Sequence, residues 1–433
     1  MKKWKTALKC FSAAVIGLSA MVTVSSGVSA KETSTVFNWS REAVSQITMN
    51  ESNTAPLIPI EDLEELTPEY HIWDTWPLQD RNGHPAVVNG HKIIFALTVP
   101  SDVTPGKRHD TAEIRYFHSK DGKSWKLGGL LFNDGQGLGS RQWAGSAIVN
   151  KDGKFHIFYT ATGRKNEERL TYEQRLATAT ANIVTTNSSV TFTNWSDHKI
   201  ILEPDGQYYQ TQDQASQGEF SSYAFRDPYF FQDPKTGEEY ILFEANSAGS
   251  LAERTCQKEH PGSKSFNGSI GMAKAVNDRL TEFEVLPPLL EANCVNEELE
   301  RPSMMVKGNR YYLFTKTHPE KFAPGLDAPE GLYGFTSPSL IGGYKPLNGS
   351  GLVIANPKDN PYQAYSWMVM PNGTVISFVN YVNVEGKNIY EIGEQGPDYE
   401  KEHFGGMLAP SLKLSITGDQ TKIVHEKKQG VFK

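Results

Sequence analysis

Hydrophobic and polar positions along the chain follow one arrangement that recurs five times between residues 84 and 382. Each copy has an apolar run, a turn containing Gly or Asn, and a second run rich in aromatic and β-branched residues. The copies start at His84, Gly145, Asp227, Arg301 and Trp367 and read HPAVVNGHKIIFALT, GSAIVNKDGKFHIFYTAT, DPYFFQDPKTGEEYILFEAN, RPSMMVKGNRYYLFTKT and WMVMPNGTVISFVNYV. Such runs on either side of such turns are typical of β-hairpins, because Gly and Asn tolerate a positive φ.

Five similar hairpins, spread over almost the whole chain, predict an all-β fold built by radial repetition. We expect a five-bladed β-propeller, the simplest architecture that buries five such hairpins around one axis. A β-sandwich or two separate β domains are the alternatives that the pattern leaves open. Helical signals are few, and Ser40 before REAVSQI has the pattern of an N-cap and a short helix.

The first 30 residues have the features of an export signal. Four lysines precede the apolar stretch AAVIGLSAMVTV, which is short for a membrane span, and small residues end it at Ala30. We therefore expect residues 1–30 to be a cleaved secretory signal peptide and residues 31–433 to form a single propeller domain. The mature protein would be secreted and extracellular; an uncleaved anchor is the alternative.

Charge and cysteine content narrow the classes of partner. The net charge is −7, and removing residues 1–30 deletes four lysines and no acid, so it becomes −11. Such a chain is poorly suited to nucleic acid or to an anionic membrane, whereas neutral ligands are unaffected. Cys256 and Cys294 follow the export signal, and in an exported chain they favour a disulfide over two buried thiols.

Each hairpin begins at a short motif in which charged and aromatic residues meet. The motifs are WDTWP, RQWAGSA, FRDPY, EELERP and AYSWM, and their marker residues are Asp74, Trp143, Asp227, Glu300 and Tyr365. The first strand of each propeller blade lines the central channel, so equivalent positions in successive blades converge on one pocket.

The converging residues have the chemistry of a sugar-cleaving site. Carboxylates serve as nucleophile and proton donor, aromatic faces stack on sugar rings, and arginines and further acids bind hydroxyl groups. Each motif alone also has a simple structural interpretation, such as an Arg–Asp pair, a capping Asp or a charged turn. Their equivalent placement in the repeat favours the functional interpretation.

In this order the motifs resemble the bacterial levansucrase and inulosucrase family of fructosyltransferases, from about Phe37 to the C-terminus. The resemblance implies a five-bladed propeller with a deep central pocket that forms one catalytic domain. It also implies a retaining enzyme that cleaves sucrose and transfers the fructosyl group to water, sucrose or a growing fructan. Sucrose and fructan or oligosaccharide acceptors would be its partners, and it would act as a monomer without a cofactor.

The resemblance also implies roles for individual residues. Asp74 corresponds to the nucleophile, Glu300 to the general acid/base and Asp227 to the transition-state stabiliser, and retention requires two carboxyl groups about 5–5.5 Å apart. The residues that match substrate-binding positions are Trp73, Trp143, Arg226, Glu298, Arg301, His318 and Tyr365.

Three positions depart from the family pattern. Ala144 stands where many members have Ser, which loosens a hydrogen bond to the nucleophile. Ser221 stands where several Gram-positive members have an Asp that helps to bind calcium, so we expect no metal site. His318 stands where those members have Arg. Members with His there often form short products, and we expect His318 to face an acceptor at the pocket mouth.

Other functions stay open at this point. A secreted β-fructofuranosidase of the invertase type, or an inulosucrase, would share the same motifs, since water competes with sugar at one intermediate. A non-catalytic carbohydrate-binding propeller would lack a carboxylate, and the pairing of WDTWP with ELERP argues against pentosan-cleaving propellers. Linkage type, product length and the share of hydrolysis do not follow from the sequence.

Overall fold

The computed structural model describes residues 36–217, 222–249, 251, 254, 256 and 260–432. Within these ranges, antiparallel strands form five blades arranged in chain order, and the parallel pairing of Leu78 with Ala147 joins the first two blades into one sheet. The predicted five-bladed β-propeller is confirmed. The predicted signal peptide lies outside the described residues.

The strands are numbered along the chain, and β1 (Phe37–Asn38) precedes the first blade. Blade 1 contains β2 (Tyr70–Gln79), β3 (Lys92–Pro100), β4 (Glu113–Ser119) and β5 (Lys126–Leu130). Blade 2 contains β6 (Arg141–Val149), β7 (Phe155–Thr162), β8 (Gln174–Thr185), β9 (Val190–Thr193) and β10 (Lys199–Leu202). Blade 3 contains β11 (Phe225–Gln232), β12 (Glu239–Asn246), β13 (Gly268–Ala275) and β14 (Phe283–Glu291).

Blade 4 contains β15 (Glu300–Lys307), β16 (Arg310–Thr317), β17 (Gly331–Ser337), β18 (Lys345–Pro346) and β19 (Leu352–Ala355). Blade 5 contains β20 (Ala364–Val369), β21 (Thr374–Tyr381), β22 (Phe404–Leu408), β23 (Pro410–Thr417) and β24 (Gln420–Gln429). The described helices are α1 (Arg41–Ser45), α2 (Gln212–Gln217), α3 (Ile389–Glu394) and α4 (Pro397–His403). Ser40 caps α1, and its side chain accepts a hydrogen bond from the amide of Ala43. No described helix is long and apolar enough to cross a membrane.

Aromatic side chains fill the spaces between neighbouring blades. Phe95 of β3 packs on Phe155 of β7 with ring centroids 5.3 Å apart. Phe158 of the same strand β7 stacks on Phe230 of β11, at 5.9 Å. Every residue of β7 is buried, because a middle strand contacts a neighbouring blade on each face. This explains why the second run of each hairpin is so rich in aromatic and β-branched residues.

The two ends of the described chain fasten the ring of blades. Near the C-terminus, the carbonyl of Gly430 accepts a hydrogen bond from Nε1 of Trp125 in blade 1 at 2.8 Å, and the ring of Phe432 packs on this tryptophan. Near the N-terminus, Trp39 packs on Tyr333 of blade 4, with ring centroids 5.1 Å apart. Burying these rings couples the chain ends to blades that are distant in sequence.

A disulfide joins Cys256 to Cys294 across a separation of 38 residues. It ties the segment that follows β12 to the segment that enters β15. Beside it, the guanidinium of Arg41 in α1 donates to the carbonyl of Cys294 at 3.2 Å and to that of Pro324 at 2.7 Å. Cys294 lies six residues before Glu300, at a point where four parts of the chain meet.

We expect the double variant Cys256→Ser/Cys294→Ser to have a free energy of unfolding about 3–4 kcal/mol lower than the parent, because the bridge restricts the unfolded chain. Denaturant unfolding checks this, with the reduced parent as the matched sample. Identical unfolding curves for the parent with and without reductant, or two free thiols in the unreduced protein, contradict it.

Candidate active site

The first strand of every blade has a bulge at the same place. Pairing with the second strand shifts register between Trp73 and Trp76, Trp143 and Gly145, Arg226 and Tyr229, Glu300 and Ser303, and Tyr365 and Met368. In four blades the bulge holds a non-glycine residue with positive φ: Asp74 (49°), Asp227 (60°), Arg301 (46°) and Ser366 (59°). Such backbone conformations cost about 1–3 kcal/mol each and cluster at functional sites.

Blade 2 has no described residue with positive φ at its bulge, where Gly145 follows the extra residue Ala144. A Cβ atom on Gly145 would lie 2.0 Å from the carbonyl oxygen of Phe158, so no other residue fits beside β7. The bulges turn the backbone so that neighbouring residues of one strand both reach the axis of the propeller. Trp73 with Asp74, Arg226 with Asp227 and Glu300 with Arg301 all do so.

A single cavity of about 240 Å³ lies at this axis. All ten catalytic and substrate-binding residues predicted from the sequence line it: Trp73, Asp74, Trp143, Arg226, Asp227, Glu298, Glu300, Arg301, His318 and Tyr365. Leu97, Arg108, His109 and Phe378 complete the lining. The cavity is smaller than a pocket for a drug-sized ligand, about 300–1,000 Å³, and its wall is dominated by charged and aromatic groups.

Asp74 presents a free carboxylate between two buried tryptophans, Trp73 and Trp76. Nη1 of Arg301 lies 3.8 Å from its Oδ1, and no described residue donates a hydrogen bond to it. Trp76 lies beneath the guanidinium of Arg301, 5.8 Å from its ring centroid. Trp73 thus forms part of the cavity wall, Trp76 supports Arg301 from beneath, and the Asp74 carboxylate keeps its lone pairs available for a substrate.

Asp227 is buried beside Asp74. Its amide donates to Oγ1 of Thr160 at 2.9 Å, and its Oδ2 accepts from the amide of Arg301 at 3.2 Å. Burial raises the pKa of Asp227 to about 7, with the charges of Asp74 and Glu300 acting in the same direction and those of Arg226 and Arg301 against it. The site therefore keeps a carboxyl group close to its point of ionisation.

Glu300 is surrounded by hydrogen-bond donors. Its Oε2 accepts from the hydroxyl of Tyr365 and lies 3.8 Å from Nε2 of His318, while Nη2 of Arg226 lies 3.4 Å from its Oε1. Burial, followed by the charge of Glu300, raises the pKa of Tyr365 well above its ordinary value, so this phenol stays a donor. Three side chains thus fix the direction of the Glu300 carboxyl.

Arg226 is held from behind by Glu244 of β12. Its Nη2 donates to Oε1 of Glu244 at 2.9 Å, and its Nε lies 2.9 Å from Oε2 of the same carboxylate, so the two groups form a close ion pair. Burial lowers the pKa of Arg226, but the charges of Glu244, Glu298 and Glu300 outweigh this effect and raise the pKa above its ordinary value. The sequence pattern did not identify Glu244, because it stands within the apolar run YILFEAN.

Glu298 and Glu300 reach the same cavity, as side chains two residues apart do in an extended chain, although β15 itself begins at Glu300. Leu299 between them is fully buried. Burial works against ionisation of Glu298, but Lys321 at 3.1 Å and Arg226 outweigh it and lower its pKa to about 2. Glu298 is therefore a fixed anion beside the acid/base candidate.

His318 lies against the carboxyl group of Glu300. Its ring stacks on that of Tyr365, with the ring centroids 4.0 Å apart. Its Nδ1 is 2.5 Å from Oε2 of the buried Glu330, whose other oxygen accepts from Nδ2 of Asn356 at 3.1 Å. Burial opposes protonation, but Glu330, Glu300 and Glu298 outweigh it and raise the pKa of His318 to about 9. His318 is therefore a cation that Glu330 orients toward Glu300.

Arg108 and His109 complete the wall from the turn Pro105–Thr111 between β3 and β4. The His109 ring lies edge-on to Trp73 and Trp143, and its carbonyl accepts from Nε1 of Trp143 at 3.0 Å. Burial lowers its pKa well below the ordinary value, so the imidazole is neutral. Arg108 and His109 were not predicted from the sequence. Their only signal in the sequence is the basic run KRH in an acidic chain.

The residues that the structure describes contain no group of three or more His, Cys, Asp and Glu side chains arranged to hold a metal ion. Ser221, at the position where some relatives have a calcium-binding Asp, lies outside the described residues. Ala144 is buried, and its carbonyl accepts from Oγ1 of Thr160 at 3.1 Å.

A five-bladed propeller whose axial pocket holds a free carboxylate, a second carboxyl among donors and flanking tryptophans defines a class of enzyme that acts on glycosidic bonds. Residues 28–433 match the family described as Levansucrase/Invertase, and the chain belongs to this family. The predicted family is confirmed.

Relatives over most of the chain support this membership. The levansucrase of Rahnella aquatilis is 35% identical over 411 residues, which cover 88% of this chain and 93% of that one. The levansucrase of Zymomonas mobilis is 35% identical and covers 90% of this chain and 91% of its own.

Solved structures agree in fold. The inulosucrase from Halalkalicoccus jeotgali bound to kestose is 43% identical, with a TM-score of 0.87 over 92% of this chain and 97% of that one. The catalytic domain of the Microbacterium saccharophilum K-1 β-fructofuranosidase is 32% identical, with a TM-score of 0.79 over 92% and 93% of the two chains. Transferases and a hydrolase therefore share this architecture.

Asp227 predicts a dependence of stability on pH. Its folded pKa of about 7 lies above the ordinary value, so its contribution to stability is present at low pH and is lost as pH rises through about 7. Asp227→Asn cannot ionise. Its free energy of unfolding relative to the parent should rise by about 1–3 kcal/mol between about pH 5 and pH 8.

Denaturant unfolding at the two pH values measures this difference. Asp278→Asn, at a side chain that is 93% exposed, is the matched control and should show no such trend. A pH-independent difference for Asp227→Asn would show that Asp227 is ionised throughout the range.

Proposed function

We propose that this chain is a retaining fructosyltransferase that cleaves sucrose and passes the fructosyl group to sucrose, a growing fructan or water. The free carboxylate of Asp74 carries this proposal, because it shares one small cavity with a second carboxyl, Glu300, that is fixed by three donors. The levansucrases and the inulosucrase among its relatives support the same substrate class.

In the first half-reaction, Asp74 attacks C2 of the fructosyl unit and the bond from C2 to the glucosyl oxygen breaks. Glu300 gives its proton to that oxygen, and glucose leaves. In the second half-reaction, Glu300 takes a proton from water or a sugar hydroxyl, whose oxygen attacks C2 and releases Asp74. Two inversions at C2 give net retention of configuration.

The other groups act on the charge that develops at C2 and on the hydroxyls around it. The transition state resembles an oxocarbenium ion. Asp227 can accept hydrogen bonds from fructosyl hydroxyls, and its negative charge stabilises the positive charge that develops at C2. Arg226, fixed by Glu244, and Arg301, fixed by the carbonyl of Thr75 at 3.2 Å, are preorganised donors. Their positions are set before substrate arrives, which lowers the cost of reorganisation.

We also propose that the enzyme acts outside the cell as a monomer. The disulfide between Cys256 and Cys294 supports this, since such bonds persist in oxidising compartments. The basic and apolar pattern of residues 1–30 supports it as well. Size-exclusion chromatography of the secreted protein and sequencing of its N-terminus test both parts.

We expect Asp74→Asn and Glu300→Gln each to reduce glucose release from sucrose by at least ~10²–10⁴-fold, because each removes a covalent or proton-transfer step. One assay that follows glucose, fructose and fructan together measures cleavage, hydrolysis and transfer. Circular dichroism should show an unchanged fold.

The matched controls are Asp278→Asn and Glu385→Gln, at side chains that are 93% and 80% exposed. Both should keep the activity of the parent. If Asp74→Asn or Glu300→Gln retained near-parental glucose release, the role given to that residue would be wrong. Fructose without any oligosaccharide, at all sucrose concentrations, would identify a β-fructofuranosidase instead.

His318→Arg should change the products more than the rate of sucrose cleavage. Arg offers a fork of five donors where His offers two, so it holds an acceptor sugar more firmly and favours longer products. Product lengths resolved by chromatography over a range of sucrose concentrations check this. An unchanged length distribution would show that His318 serves Glu300 and not the acceptor.

A further inference from the structure

Tyr172 is an exposed aromatic residue that is nevertheless held rigidly. Its side chain is 46% exposed, yet its hydroxyl donates to Oδ1 of Asp110 at 2.6 Å. The guanidinium of Arg141 lies 4.9 Å from the ring centroid and covers the ring on one side. An exposed tyrosine without a ligand gains little from such fixation, whereas a binding platform gains by losing its conformational freedom in advance.

Arg141, which supports the ring, is itself fully anchored. It is buried, its Nη2 donates to the carbonyl of Thr171 at 2.7 Å, and its Nη1 lies 3.3 Å from Oε1 of Glu167. The Tyr172 ring therefore packs against a buried guanidinium that is itself held by a hydrogen bond and an ion pair.

The platform continues the wall of the active site outward. The Tyr172 ring centroid lies 6.3 Å from that of Trp143, which lines the axial cavity. Arg141 lies over both rings, 5.7 Å from the centroid of Trp143. Two aromatic faces in succession, one inside the pocket and one outside, can contact successive sugar units of one chain.

A second cavity of about 680 Å³ begins at the same two supporting residues, Asp110 and Arg141. Its lining includes hydroxyl-binding groups and three glycines: Ser140, Gln142, Lys165, Asn166, Gly135, Gly137 and Gly139. A lining of this kind suits a neutral, hydroxyl-rich ligand. Its two acids, Asp110 and Glu113, are balanced by its two bases, Arg141 and Lys165, so the lining has no net charge to select an ion.

We infer that Tyr172, supported by Asp110 and Arg141, forms an outer acceptor subsite that stacks on a later fructosyl unit of a fructooligosaccharide during chain elongation. This inference rests on the proposed fructosyl transfer and concerns only where the acceptor chain lies. Cleavage of sucrose fills the axial cavity and does not require this subsite, whereas elongation of a longer acceptor does.

The test compares Tyr172→Ala and Tyr172→Phe with Val184→Ala, a control at an equally exposed residue, 46%, in the outer strand β8. Sucrose is the donor, and inulin-type and levan-type oligosaccharides of about five units are the acceptors. Tyr172→Ala should raise the acceptor concentration at half-maximal transfer about tenfold, the size of one good aromatic contact. Glucose release with sucrose alone should stay within about twofold of the parent.

Tyr172→Phe keeps the ring and loses its anchor, so its acceptor half-saturation should rise only about two- to threefold. Unchanged elongation by Tyr172→Ala overturns the subsite, as does an equal loss of glucose release and elongation, which would show a structural effect through Trp143. In an Asp74→Asn background, titration with the same oligosaccharides measures binding without turnover. If the parent protein releases no glucose from sucrose, the proposed function is wrong. The titration in the Asp74→Asn background still shows whether Tyr172 binds the oligosaccharides.

Discussion

The bulge in the first strand of each blade is the constraint on which the active site depends. In a regular strand, consecutive side chains point to opposite faces, so Trp73 and Asp74 could not both reach the axis. The positive φ of Asp74 and its counterparts breaks this alternation at one level of the propeller. The strain of about 1–3 kcal/mol at each bulge persists because aromatic packing between blades holds the strands on both sides.

Gathering carboxylates in one cavity creates a second constraint, since each buried charge needs a partner. Arg226 lies between Glu244 and Glu300, Arg301 approaches Asp74, Glu298 is paired with Lys321, and His318 with Glu330. Beneath them, Nζ of the buried Lys316 donates to the carbonyl of Arg301 at 2.6 Å and so supports the bulge of blade 4. The charged groups around the functional carboxyls are thus held in place by Glu244, Lys316, Lys321 and Glu330, which do not line the cavity.

These two constraints explain how much the sequence could predict. Hairpins and motif positions are local signals, and propeller geometry turns equal positions in the repeat into neighbours, so all ten predicted residues meet. Glu244, Lys316 and Glu330 could not be found this way, because they lie on second strands or loops, where a charged residue looks like a solvent-facing position.

The same geometry explains why the motifs alone cannot separate a transferase from a hydrolase. In the proposed mechanism the inner strands supply the step that both reactions share, formation of the fructosyl intermediate on Asp74. The fate of this intermediate depends on which hydroxyl reaches C2, and groups farther out hold that acceptor. Connecting segments, such as the residues around Tyr172, lie in that outer region. An inulosucrase and a β-fructofuranosidase can therefore share this fold, with TM-scores of 0.87 and 0.79, since loops can vary while the bulged strands stay fixed.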